Sequence, residues 1–552
     1  MPTHIVENQP PPLADYNLFT SDAALAEAFE REAPGCDRVE LVEIGDLAGR
    51  PETIQLGFDA NANPPELHTH DRFGNRIDEV RFHPAWHTLM QSATQRGLSG
   101  APWRDPGPYP HVRRAAKFFV WSQVESGHGC PISMTYAAVP ALRTQPDVAT
   151  NWEAALAHRD YDPRLLPIAQ KTSALCGMGM TEKQGGSDVR SNRTRAHPAA
   201  ARGPGREYLM TGHKWFCSAP MCDAFIVLAQ TDGGIACFLV PRVLPDGTRN
   251  PFAIVRLKSK LGNRSNASSE VEFDATHGWL VGDEGRGIQT IVEMVNYTRL
   301  DCIVGSAGLV REAVAQAIHH ASYRRTFGRR LIDHPLMLNV LADLALESEA
   351  ATALFMRIAR AIDDSASSAR AAALKRLGTA VGKYYVCKRA PMVVGEALEC
   401  LGGNGYVEES IMPRLYREAP LNSIWEGSGN INALDVLRIV GKHPESFEAL
   451  RDEIMLARDE PRVASECARM ESELRGNSAQ LEARARALAE RLALLWQASL
   501  LVRFAPSATA DAFITSRLGG SDARTLGTLA PVGALATIVE RASPAAQPVG
   551  LS

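Results

Sequence analysis

A single glutamate, Glu426, lies in the run Ile-Trp-Glu-Gly-Ser-Gly-Asn at 424–430, between a large aromatic and a glycine. A carboxylate enclosed by Trp425 and Gly427 has its pKa raised where the site is desolvated, and such a group can abstract a proton α to a carbonyl. Ser428 and Asn430 follow with donors for the oxygens of a cofactor. Taken alone, Glu426 is more simply a surface or paired glutamate. Four further segments carry comparable chemistry. The loop Gly-Met-Gly-Met-Thr-Glu-Lys-Gln-Gly-Gly-Ser-Asp at 177–188 lets backbone approach a flat ligand and offers the hydroxyls of Thr181 and Ser187. It reads equally as a Gly-rich loop at the mouth of a β domain. In Gly-His-Lys-Trp-Phe-Cys-Ser at 212–218 an aromatic beside a small hydroxyl can stack on a ring and donate to a heteroatom, although a strand with a buried aromatic accounts for it as well. Residues 260–269 read as a hairpin with a polar turn. Arg324-Arg-Thr-Phe-Gly328 sets two arginines ahead of an aromatic, which suits a pyrophosphate and a stacked ring. A solvated basic face is the commoner reason for adjacent arginines.

These segments need elements to hold them. At 552 residues the chain exceeds one core, and 45% hydrophobic with 22% charged residues is ordinary for a globular protein. Helical spacing is expected at 22–32 and 118–125, with a hairpin turning at 71–76. From 176 to about 282 the texture turns to short β runs at 225–230, 236–241, 252–257 and 270–273, a compact β domain. Long helical patterns at 288–323, 336–363, 371–401 and 431–440 predict an antiparallel four-helix bundle. More helix follows, notably at 480–501, and the closing Ala/Pro/Ser-rich stretch is expected to be loose. The fold class is therefore α+β, mainly α. Its segments are an N-terminal helical domain (1–175), a middle β domain (176–285), a helical bundle (286–440) and a helical extension (441–552).

The bulk numbers exclude several functions. A net charge of −4 supplies no global field for nucleic acid or anionic membrane. Ten scattered cysteines form no C-x-x-C pair, which fits a reducing cytoplasm and argues against a zinc site or a disulfide framework. Residues 1–15 have no apolar core of a secretory signal, and no apolar run approaches the roughly 18 residues of a membrane span. His68, His70, His83 and His87 lack a ligand pattern and read as turn and helix-surface histidines, so no metal is expected. No dinucleotide fingerprint, P-loop or H-E-x-x-H motif occurs.

Taken in order, the five segments resemble the acyl-CoA dehydrogenase family, with the match running from about 176 to 440 and more weakly through the N-terminal helices. The resemblance implies a helical N-terminal domain, a β-barrel-like middle domain, a C-terminal four-helix bundle, non-covalent FAD and a homotetramer. By motif it places Met178, Met180, Thr181 and Ser187 on the flavin loop, Phe216 where the family has a stacking Trp, and Ser218 in a Thr position. Arg324, Phe327, Gly402 and Gly403 would reach the FAD of a neighbouring subunit, and Ile424, Trp425, Gly427, Ser428 and Asn430 would complete the cofactor site. Glu426 would take the α-proton of an acyl-CoA while the β-hydrogen leaves as hydride. Arg299 would lie at the substrate's reactive end, with Ser187 also near substrate.

Three positions depart from the family wording. Lys183 stands for a Pro, Glu399 for a Gln and Pro335 for a Gln that commonly contacts FAD. A carboxylate at 399 repels pyrophosphate unless a base neutralises it. The detailed wording, including Arg-Phe-His-Pro-Ala-Trp at 81–86, resembles a subgroup that acts in the adaptive response to DNA alkylation. That resemblance implies double-stranded DNA binding through the extension, with weak isovaleryl-CoA dehydrogenase activity. The extension itself is balanced in charge, with 13 Lys+Arg against 14 Asp+Glu, nearly all its bases arginine, among them Arg451, Arg462, Arg469, Arg475, Arg484, Arg486 and Arg491. They can line a groove, or they can be the solvated face of helices that cover the bundle. Three readings result: a DNA-binding flavoprotein of the alkylation response, a metabolic short- or branched-chain acyl-CoA dehydrogenase, and a scaffold that keeps FAD structurally and binds a protein partner.

Overall fold

The computed structural model describes residues 3–474, 478–518, 525–530 and 534–545; Arg475 and the last residues of the Ala/Pro/Ser-rich stretch lie outside them. The chain forms two compact units, one from Gln55–Pro110 and Glu125–Thr298, the other from Met1–Ile54, His111–Val124 and Arg299–Ser552.

The first unit is built on a β barrel. A small hairpin of β1 (Glu66–His70) and β2 (Arg76–Arg81) turns where Asp71 Oδ1 accepts the amides of Phe73 and Asn75 at 2.8 and 2.9 Å. Seven further strands follow: β3 (Cys176–Gly179), β4 (Arg195–Pro198), β5 (Glu207–Ser218), β6 (Ala224–Thr231), β7 (Gly234–Pro241), β8 (Phe252–Leu257) and β9 (Ser268–Val281). The order β6-β4-β5-β9-β7 returns to β6 through the β6–β7 pairing, so the sheet closes and those strands have no free edge. Within this ring β6 and β7 are buried almost end to end, which is why they read as continuous apolar runs and not as alternation. β9 runs well past the expected 270–273, because it is paired with β5 from Ser268 to Trp279, with β8 over its first half and with β7 over its last residues. The expected polar hairpin turn at 260–269 joins β8 to β9.

The second unit holds the helical bundle: the Gly287–Tyr323 helix from Arg299 onward, with Pro335–Asp364, Ala369–Cys400 and Gly429–Lys442. At Gly382 a Cβ would meet Ile358 at 2.8 Å and Ile303 at 3.0 Å, so glycine sets how closely three of these helices approach. The Ala485–Phe504 helix of the extension is buried along most of its length, and its Trp496 ring lies 2.7 Å from where a Cβ on Gly378 would be. The extension is thus part of this unit's core.

Three local expectations change. The helix expected at 118–125 is Pro110–Ser122, and its start is fixed by Asp363, which accepts the amides of His111 and Val112 at 2.9 and 3.0 Å. That cap comes from a helix about 250 residues away and leaves no local trace. The helix expected at 480–501 is broken at Arg484 into Ser478–Ala483 and Ala485–Phe504. The closing stretch is not uniformly loose: Leu535–Ala542 is a helix whose Arg541 pairs with Glu27 and Glu349, while Arg311 Nη1 donates to Ala542 O at 2.7 Å.

Candidate functional site

In the bundle unit Glu426 follows the short turn Leu421–Ser423 and precedes the Gly429–Lys442 helix. Its backbone is left-handed, with φ 56°, a conformation that strains a non-glycine residue by about 1–3 kcal/mol unless the surroundings impose it. Here they do. Arg299 Nε donates to Glu426 O at 3.0 Å, and Arg299 Nη2 is held by Asp435 Oδ2 at 2.8 Å. Lys383 Nζ donates to the carbonyls on either side, Trp425 O at 2.8 Å and Gly427 O at 2.6 Å. Asn432 Nδ2 donates to Gly427 O and Ser428 O. Gly427 itself sits at φ 97°, with Asn432 Nδ2 and Arg299 Nη2 at 3.1 and 3.2 Å from where a side chain would begin. Trp425 Nε1 donates to Asn422, which in turn donates to Ser306 Oγ at 3.1 Å. Burial pushes the nearby Cys302 thiol well up, Lys383 opposes this and the Glu426 carboxylate adds to it, so both charges bear on one buried group.

The other residues expected in this unit fall in two places. Ile424 is exposed, and the Ser428 hydroxyl caps no amide of the helix it precedes. Arg324 and Phe327 lie at a tight hairpin, β10 (Arg325–Thr326) and β11 (Arg329–Arg330), where Phe327 is 97% exposed. Asn8 grips this hairpin: its side chain donates to Arg325 O and accepts from Arg325 N, both at 2.8 Å, and its carbonyl accepts from Arg324 Nη1 at 2.7 Å. Gly402, at φ 60°, and Gly403 have open space where side chains would begin, and the adjoining Asn404 bonds to Gln9. Pro335 opens its helix at the first turn, where a missing N–H is harmless. Glu399 is exposed and has no cation partner among the described residues.

In the barrel unit Met178 is buried on β3, and Met180 and Thr181 follow at its end. Thr181 O accepts from Trp215 N at 2.8 Å, which brings the loop beside Phe216 and Ser218 at the end of β5. A Cβ on Gly186 would lie 2.4 Å from Thr181 Oγ1, so the loop folds tightly back before the exposed Ser187. The anchor is a fully buried ion pair, Lys214 Nζ to Glu182 Oε1 at 2.8 Å. Glu182 also accepts from the amides of Arg193 and Thr194 at 2.6 and 3.1 Å. Burial alone would raise Glu182, but Lys214 and these donors outweigh it and hold the carboxyl down at about 2. Lys183 donates its amide to His213 Nε2 at 3.1 Å, a bond that a proline there could not make. The Phe216 ring is half exposed, with Lys258 Nζ 4.5 Å from its centre.

The histidines of 68–87 have separate neighbours: His83 accepts the Ala85 amide at a helix start and His87 bonds Tyr161 Oη at 2.8 Å. In the extension, most of the arginines expected to line a groove are spent within the chain. Arg451 pairs with Asp452, Arg462 with Glu460, Arg469 with Glu466, and Arg484 and Arg491 with Glu473. Among the described residues Lys442, Arg458 and Arg486 have no carboxylate partner. The sequence reading missed Lys383, Asp435 and Asn432. For Lys383 a signal existed, a lone lysine in the apolar stretch 377–387, but nothing local assigned it a partner.

Comparison with known proteins agrees with this architecture. Residues 8–163 match the family model for the adaptive response protein AidB N-terminal domain, 177–276 the acyl-CoA dehydrogenase middle domain, and 285–441 the acyl-CoA dehydrogenase C-terminal domain. The chain belongs to the acyl-CoA dehydrogenase family of FAD-dependent oxidoreductases. Within that family it resembles AidB: the AidB protein of Escherichia coli (strain K12) is 48% identical over 514 residues, covering 93% of this chain and 94% of that one. Acyl-CoA dehydrogenase family member 11 of Caenorhabditis elegans is 32% identical over 449 residues, 77% of this chain and 70% of that one. The crystal structure of Caenorhabditis elegans ACDH-11 in complex with C11-CoA superposes with a TM-score of 0.81 at 26% identity, covering 99% of this chain and 94% of that one.

The residues present fit FAD. In the bundle unit Gly402 and Gly403 have open space where side chains would begin, and the Ser428 hydroxyl caps no amide of the helix it precedes; in the barrel unit, by itself, Phe216 offers a half-exposed aromatic face.

Proposed function

We propose that the chain dehydrogenates a short or branched acyl-CoA between its α and β carbons, slowly, with isovaleryl-CoA among its substrates. Glu426 is the base that accepts the α-proton at its carboxylate, and Arg299 and Ser187 serve the substrate's reactive end. FAD, when bound, supplies the acceptor for the hydride that leaves the β-carbon. In the barrel unit Met178, Met180, Thr181, Ser187, Phe216 and Ser218 would hold it. In the bundle unit Ile424, Trp425, Gly427, Ser428 and Asn430 would do so, with Arg324, Phe327, Gly402 and Gly403 serving a neighbouring copy in a cytoplasmic homotetramer. On this reading the functional segments are 1–175, 176–285, 286–440 and 441–552. The observation that carries it is the left-handed Glu426 backbone fixed by Arg299 and Lys383. The test is anaerobic flavin bleaching with a panel of acyl-CoAs. A preferred acyl-CoA should bleach the wild type, and Glu426→Gln should abolish the effect; bleaching by no acyl-CoA removes the reading.

Duplex-DNA binding in the alkylation response is a second reading, favoured by the match of residues 8–163 to the adaptive response model and by the 48% identity to AidB. With so many extension arginines paired, phosphate contacts from the described extension fall to Lys442, Arg458 and Arg486. Because Trp496 is built into the bundle, deleting the extension would disturb the fold as well. Substituting Lys442, Arg458 and Arg486 by Gln is the cleaner test. Unchanged duplex affinity in that triple variant would rule out Lys442, Arg458 and Arg486 as the phosphate contacts.

A further inference from the structure

We infer that Lys383 is a positioning residue for dehydrogenation, holding the loop that presents Glu426; this rests on the reading of Glu426 as the base. Lys383 lies on the Ala369–Cys400 helix, is 1% exposed, and has no carboxylate partner among the described residues. A buried ammonium without a counter-ion is unfavourable unless its donors are used well. Two of its three N–H groups are used on Trp425 O and Gly427 O, the carbonyls immediately before and after Glu426 O. The carbonyl between them is taken by Arg299. Three consecutive carbonyls therefore point at two cations from two helices, the buried Lys383 and the part-buried Arg299, around a left-handed residue at 426.

The two cations are not equivalent. Arg299 is neutralised by Asp435 at 2.8 Å, which is part of the same helix that begins at Gly429. Lys383 keeps its charge unpaired, and that charge reaches the Cys302 thiol together with the Glu426 carboxylate. Lys383 thus does two jobs from one atom. It fixes the backbone on both sides of the base, and its ammonium acts on the same buried Cys302 thiol as the Glu426 carboxylate. General packing would have been met by an apolar side chain, as at the neighbouring positions Leu377, Ala380, Val381 and Val386, which are buried.

The test uses the FAD-loaded full chain carrying Lys383→Met, which keeps length and removes the donors, and Lys383→Gln, which keeps a donor without charge. Hydrogen–deuterium exchange at the amides of 425–429 should speed up in the Met variant, less so in the Gln variant, with protection elsewhere in the bundle unchanged. Turnover of the preferred acyl-CoA should fall about a hundredfold in kcat for Met, as a misplacement of about 1 Å does, with KM within about threefold and FAD content unchanged. Gln should recover part of that loss. Wild-type exchange at 425–429 in the Met variant overturns the inference. Loss of FAD or of folding in both variants also overturns it, since Lys383 would then be a general core residue. If Glu426→Gln turns over like the wild type, the base reading fails instead, and the exchange result still decides whether Lys383 holds the loop.

Discussion

Replacing Lys214 by Met removes the ammonium from a carboxylate that has no access to water. Both partners of the Lys214–Glu182 pair are fully buried. Glu182 would keep the amides of Arg193 and Thr194 and the side chain of Gln184 at 2.8 Å, but no counter-charge. Stranding one member of a buried pair is destabilising by about 3–5 kcal/mol. For a unit of this size each kcal/mol moves Tm by about 2–4 °C, so the barrel transition should fall by roughly 10 °C. Thermal unfolding followed by circular dichroism, with FAD retention measured alongside, is the assay. FAD should be lost more easily as well, because Glu182 pairs with Gly185 through both backbone hydrogen bonds within the loop that carries Met180, Thr181 and Ser187. The double variant Lys214→Met/Glu182→Gln should recover more than half of the stability, since no charge is left buried and alone. A single-variant loss below about 1 kcal/mol, or a double variant no better than the single one, would refute the reasoning.

Other outcomes follow from the same contacts. Glu125 is buried; burial would raise it, but bonds from His128 and Ser265 hold it at about 2, as Lys214 holds Glu182. Both are ionised in the fold where the unfolded chain is protonated, so their contribution to stability should be complete above about pH 4.5 and drain away towards pH 2. Asp223, pushed up to about 6 by burial, works the other way, and the two glutamates outweigh it below pH 4.5; an acid titration of unfolding that is flat from 5 to 2 contradicts this. Gly427→Ala, at φ 97° and against Asn432 and Arg299, should destabilise the base loop by about 1–3 kcal/mol and reduce kcat more than KM, as steady-state kinetics would show. Gly378→Val should drive a side chain into Trp496, lower Tm and raise the indole's accessibility to a fluorescence quencher. Duplex binding, titrated at two salt concentrations, should have a shallow slope, near −3 per chain if Lys442, Arg458 and Arg486 supply about three phosphate contacts.

The features that were legible in the sequence are those that local residues decide. The β8 strand and the turn to β9, the four bundle helices and the run that sets Glu426 between Trp425 and Gly427 all have their signals within a few residues. What was not legible depends on partners far along the chain. Lys383 finds its carbonyls 42 and 44 residues later, and Asp363 caps a helix 252 residues earlier. The extension's arginines read as a possible groove because a sequence shows their number and not their pairing; Glu466 and Glu473 absorb Arg469, Arg484 and Arg491 only once the helices pack. The closure of the barrel was similarly hidden, since β4 is four residues long and joins β6 at a single position, Arg195 opposite Gln230.

Exchange of the acyl-CoA α-proton with solvent tests the role of Glu426 most directly, because it reads the proton step alone. In D2O, under anaerobic conditions, FAD-loaded wild type should place deuterium at the α-carbon of isovaleryl-CoA, seen by mass spectrometry, and Glu426→Gln should place none above the protein-free rate. Equal exchange by the two proteins would contradict the assignment of Glu426 as the base.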